Sequence, residues 1–212
     1  MSPAFQRFAA LCALLAALAG VVFTVAFAVV VQEGERWAQW VSWAALLCGG
    51  LVTIPATIAL YVILSEVEPQ FALIGLVLGV AGALGAAVHG AFDLAVLANP
   101  PSTPVPDVPN AIDPRGFLTF AGAGLALLGF GWVLFRGGPS YRRLAWLALL
   151  GAALLLVVYV GRLTVLNPKT NVIRIAALAS GIAVLPAFYL LLGWTLLRGA
   201  ARMPPPVSGP ER

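Results

Sequence analysis

The sequence predicts an all-α fold: a polytopic bundle of six transmembrane helices with both termini on the same side. Three observations predict it. The 212 residues are 61% hydrophobic and only 9% charged, against roughly 25% charged in a soluble domain. Six apolar segments approach or exceed the ~20 residues that a bilayer demands of a helix. Between them lie short polar breaks with helix-capping chemistry. Length alone would allow one or two soluble domains, but a chain with so little polar surface is a single membrane domain over residues 1–202.

The spans read as 8–31, 37–64, 71–98, 117–135, 144–166 and 172–197. The first follows Arg7, and its apolar run is too long for a signal-peptide core, so it reads as a retained helix. Gln32-Glu33-Gly34-Glu35-Arg36 separates spans one and two. Pro69 suits the first turn of span three. Asp113-Pro114 reads as an N-cap followed by proline for span four, and Ser140 after Gly137-Gly138-Pro139 as the cap of span five. Asn167-Pro168 ends span five, and Thr170 or Asn171 can cap span six. The loop 99–116 holds six prolines and reads as an extended, proline-rich cap. The tail 203–212, with four prolines, reads as disordered.

Lys and Arg set the orientation. One face carries seven basic residues (Arg7, Arg136, Arg142, Arg143, Arg198, Arg202 and Arg212) and a net charge of +4. The other carries five (Arg36, Arg115, Arg162, Lys169 and Arg174) and a net charge of zero. This places the N- and C-termini in the cytoplasm. Trp132, Trp146 and Trp194 fall at the basic face and Trp37 and Trp40 at the other, as aromatic belts do. Eleven of the twelve basic residues are Arg, which points to a GC-rich bacterial genome and hence to a bacterial inner membrane. The charges sit at span ends without interleaved aromatics in a basic stripe, so nucleic acid is not an expected partner. The lipid bilayer is the expected one. Cys12 and Cys48 lie in different spans at different depths and read as buried, unpaired thiols.

Span three carries the chemical signal. His89, the only histidine, precedes Asp93 by four residues, which puts both on one helix face. Ionisable residues in lipid are costly, so they read as a functional site or a buried polar network. Parity extends the site. Odd spans end on the face where even spans begin, so His89, Asp93, Tyr159, Arg162 and Arg174 share one half of the membrane beneath the proline-rich loop. Asp93 lies about 7–8 Å and His89 about 13 Å below the end of span three. An unpartnered Asp93 would be expensive, so it is expected to pair with Arg162 or Arg174. The other reading is that both arginines snorkel to the interface.

Three readings of the cluster fit the sequence. It lines a small polar pocket for a small solute, a lipid headgroup or a proton. It fixes helix packing in a structural or accessory subunit. Or it is the His/Asp dyad of a membrane enzyme, for which no nucleophile motif, HExxH or Gly-rich phosphate loop speaks. No catalytic residue, metal or cofactor is assigned: one His and one Asp are too few ligands unless Glu33, Glu35 or the loop contributes.

Small residues four apart, Gly75/Gly79 and Gly82/Ala86/Gly90, predict close helix approach and a central, lipid-shielded span three. Pro55 and Pro186 predict kinks in spans two and six. Three-plus-three inverted repeats would suit the span count, but the two halves show no self-similarity. The six-span plan, and His89-Gly90-x-x-Asp93 followed by Leu94-Ala95 and Asn99-Pro100-Pro101, resemble bacterial six-helix integral membrane proteins of the DUF4386-like group. That resemblance implies a fold and no established activity.

Overall fold

The computed structural model describes residues 1–30, 35–100, 114–165 and 171–201. Most of the proline-rich loop, the tail 203–212, Glu33, the Asn167-Pro168 break, Thr170 and the side chain of Arg162 lie outside the described residues. Among the described residues the structure is all-α, with six helices long and apolar enough to cross a membrane: Pro3–Ala28, Arg36–Leu64, Pro69–Ala98, Phe117–Arg136, Pro139–Gly161 and Asn171–Gly199. We call these spans one to six.

Local chemistry explains the ends. Span one starts five residues earlier than its apolar run, because Ser2 caps it: the Phe5 amide donates to Ser2 Oγ at 3.3 Å, and Pro3 follows the cap. Pro69 occupies the first turn of span three, as expected. Ser140 does not cap span five. It lies within a 3-10 turn, Pro139–Tyr141, preceded by Gly138 at φ 102°, a conformation that glycine adopts without strain.

Each span packs against its neighbours in sequence, and span six closes back on span one. The result is a ring. Six axes spaced 8–10 Å apart around a ring stand about 8–10 Å from its centre. A helix with its side chains reaches only about 5–6 Å, so whether the middle is solid depends on side-chain size. In the half nearest the N-terminus it is solid: Leu64, Val133, Leu134, Phe188, Leu192 and Leu196 are almost fully buried in one cluster with Ala9, Ala10, Ala145 and Ala148.

Span three is a wall of this ring, not its centre. Its glycines do permit close approach. A Cβ on Gly90 would stand 2.6 Å from the Trp43 carbonyl oxygen, and one on Gly82 2.8 Å from the Ala123 nitrogen. These contacts clamp span three between spans two and four. Yet Ile74, Val77, Leu84 and Val88 on its outer face are exposed, because a ring member packed on two sides still presents a third to lipid. Cys12 is buried as expected, but Cys48 is exposed on the outer surface.

Three helices contain π-helical turns: Ala26–Val30 in span one, Phe117–Gly122 in span four and Ala179–Val184 in span six. The last immediately precedes Pro186, so the expected break there takes the form of a change in hydrogen-bond register. Proline supplies no amide to the turn before it, and the wider register accommodates that loss. Around Pro55 the helix is continuous, and Thr53 and Thr57 donate to the carbonyls of Gly49 and Thr53 at 2.8 and 2.9 Å.

The aromatic belts are in place. Trp132, Trp146 and Trp194 are exposed at one face and Trp37 and Trp40 at the other. Arg198 stands 4.6 Å from the Trp194 ring and Arg136 5.7 Å from Trp132. Arg136 also pairs with Glu68 at 2.6 Å, tying the end of span four to the start of span three.

Candidate functional site: a polar clamp beside a central cavity

His89 and Asp93 meet as the helical spacing requires. His89 Nε2 lies 3.3 Å from Asp93 Oδ2, and both side chains are largely buried. A cation against Asp93 is Arg115, whose guanidinium lies 3.7 Å from Oδ1. Arg174 forms no ion pair with Asp93 among the described residues, and Arg162's side chain lies outside them. The physical reason for Arg115 is connectivity. Spans three and four are antiparallel ring neighbours, so the residue just before span four lands against the end of span three. Spans five and six begin their turn of the ring further away.

Aromatic rings hold the cluster in place. The Arg115 guanidinium sits 4.2 Å from the Phe92 ring. His89 stacks on Trp43 at 5.6 Å, Trp43 meets Phe27 at 5.2 Å, and Phe27 stacks on Phe23 at 5.6 Å. Tyr159 reaches the same rim indirectly, edge-on to Phe117 at 5.7 Å, two residues beyond Arg115. Asp93 borders a recess of about 180 Å³ with Phe27, Gln39, Trp43, Val96 and Leu97. Among the described residues no three His, Cys, Asp or Glu side chains converge on one point.

The larger feature escaped the sequence reading. Behind the Phe23–Phe27 pair, a cavity of about 600 Å³ occupies the centre of the ring. Its lining is mostly Ala, Gly, Leu and Phe, with hydroxyls from Thr24, Thr53, Thr57, Thr119, Ser180 and Tyr189. All three π-helical turns contribute to it, through Phe27, Thr119 and Gly181 among others. It begins in the half that holds His89 and Asp93 and, on spans two and six, runs past the middle of the membrane. It reaches from Arg174, exposed near the start of span six, down to Leu60, Phe130 and Leu192, where the packed core begins. Thus Arg174, expected beside Asp93, instead borders the cavity.

Three of the hydroxyls are satisfied within the protein: Thr53 and Thr57 bond back to their own helix, and Ser180 donates to the Ala177 carbonyl at 2.9 Å. Thr119 Oγ1 is buried and without a hydrogen-bond partner among the described residues.

Six antiparallel apolar helices in a closed ring define a multi-pass membrane protein. No family model, curated protein or solved structure matches the chain.

Proposed function

We propose that this is a non-enzymatic membrane protein that holds a small, mostly apolar molecule in the central cavity. The observation that carries the reading is the cavity's volume. At about 600 Å³ it lies within the ~300–1,000 Å³ range of ligand pockets, far beyond the few small voids that a close-packed interior keeps. Water is poorly held by an apolar lining, so the expected filler is apolar.

The packed half argues against a channel, since the cavity ends on Leu60, Phe130 and Leu192. On the Lys/Arg distribution, we place that half towards the cytoplasm of a bacterial inner membrane and the cavity's rim on the opposite side. The His89–Asp93–Arg115 group we read as a clamp fastening the start of span four to the end of span three. Its own recess is small and bordered by Trp43, Phe27, Val96 and Leu97, which favours packing over a solute site.

Native mass spectrometry of protein released from detergent tests the proposal. The wild type is expected to retain a bound apolar molecule, and the doubly filled variant Ala86→Phe/Ala177→Phe to lose it. A wild type that emerges bare, under conditions where surface lipids stay attached, contradicts the reading.

A further inference from the structure

We propose that the cavity takes an amphiphile with an anionic headgroup, a carboxylate or a phosphate, whose charge is met by Arg174 while its hydrocarbon chain lies along the helix axes. This rests on the reading of the cavity as a ligand site and adds its chemical class.

Shape is the first argument. On span six the lining runs from Arg174 to Leu192, about 27 Å along the axis. That length suits an extended hydrocarbon chain lying along the helix axes.

Charge is the second. Arg174 is the one charged side chain among the described lining residues. Among the described residues no carboxylate pairs with it, whereas Arg115 at the same face is engaged by Asp93. A cation at the rim of an apolar tube selects for an anion there, and guanidinium matches the paired oxygens of carboxylate and phosphate.

The third is where hydrogen-bonding capacity is left over. Deeper in the cavity, Thr53, Thr57 and Ser180 donate to backbone carbonyls of their own helices. Thr119 Oγ1, more than nine-tenths buried, has no partner among the described residues and lines the same cavity near the start of span four, on the rim side. A buried hydroxyl without a partner is costly, and a headgroup oxygen beside it would accept a hydrogen bond from it. Arg174 and Thr119 thus put a cation and a spare hydroxyl at the rim end of the cavity, where an amphiphile carries its headgroup.

Three probes with one chain length separate the contributions: palmitate, hexadecyl phosphate and hexadecanol. Binding is measured by native mass spectrometry and by thermal shift of the full chain in phosphatidylcholine nanodiscs. At least one of the two anions is expected to bind about tenfold more tightly than the alcohol, the effect of one charge-assisted contact. Arg174→Gln removes that preference and leaves hexadecanol binding intact, while Ala86→Phe weakens all three. The order of palmitate and hexadecyl phosphate distinguishes a free fatty acid from a phosphate-headed lipid. If hexadecanol equals both anions in the wild type, or Arg174→Gln keeps the preference, the headgroup assignment is overturned and the cavity reading stands. If no probe binds, the cavity reading falls too.

Discussion

The two halves of this bundle use the same six helices in opposite ways. Near the N-terminal face, Leu64, Leu134, Leu192 and Leu196 meet at the ring centre and close it. Towards the other face the positions that face inward are Gly20, Gly49, Ala86, Ala123 and Ala177, and the centre stays open. Helix spacing alone leaves room in both halves. Side-chain size decides which part is core and which is cavity, and each of the three π-helical turns supplies lining residues to the open part.

The comparison can be broken first in the packed half. Leu134→Ala removes a fully buried side chain, and we expect a loss of about 2–5 kcal/mol in reversible unfolding in detergent. A loss well under 1 kcal/mol would mean that this half is not close-packed.

Next comes the polar clamp. Asp93→Asn is expected to cost about 1–3 kcal/mol by weakening the contacts to His89 and Arg115. In a double-mutant cycle with Arg115→Gln the losses should fall short of additive by at least about 0.5 kcal/mol. Strict additivity would show that Asp93 and Arg115 do not act together.

A smaller effect tests the contact between spans one and six. A Cβ on Gly181 would overlap the Thr24 side chain, so Gly181→Ala should cost about 1–2 kcal/mol. Adding Thr24→Ala should recover most of it. Failure of the second substitution to rescue the first would show that Thr24 is not what Gly181 accommodates.

Much of the fold was legible in the sequence. Apolar run length, Pro69 and the tryptophan belts report local chemistry, which one chain carries by itself. The ring was not legible, because hydropathy says that a span faces lipid or protein without saying which span is its neighbour. That gap explains why Arg115 was missed. Arg174 shares Asp93's half of the membrane, but Arg115 also shares its helical hairpin, and short connectivity was the usable signal. It also explains span three: Gly75 to Gly90 announced close packing correctly, and from that a central position does not follow when every span is a wall. The cavity was visible only as an excess of Gly and Ala, which reads equally as tight packing. Which of the two an alanine serves depends on whether another helix lies opposite it.

The most direct test therefore enlarges one alanine in each half. Ala148 is fully buried in the packed core, and Ala177 lines the cavity. Ala148→Leu is expected to lose about 1–3 kcal/mol of unfolding stability through overpacking, while Ala177→Leu is neutral or stabilising because it fills open space. Equal losses at the two positions would contradict the division into a packed and a hollow half.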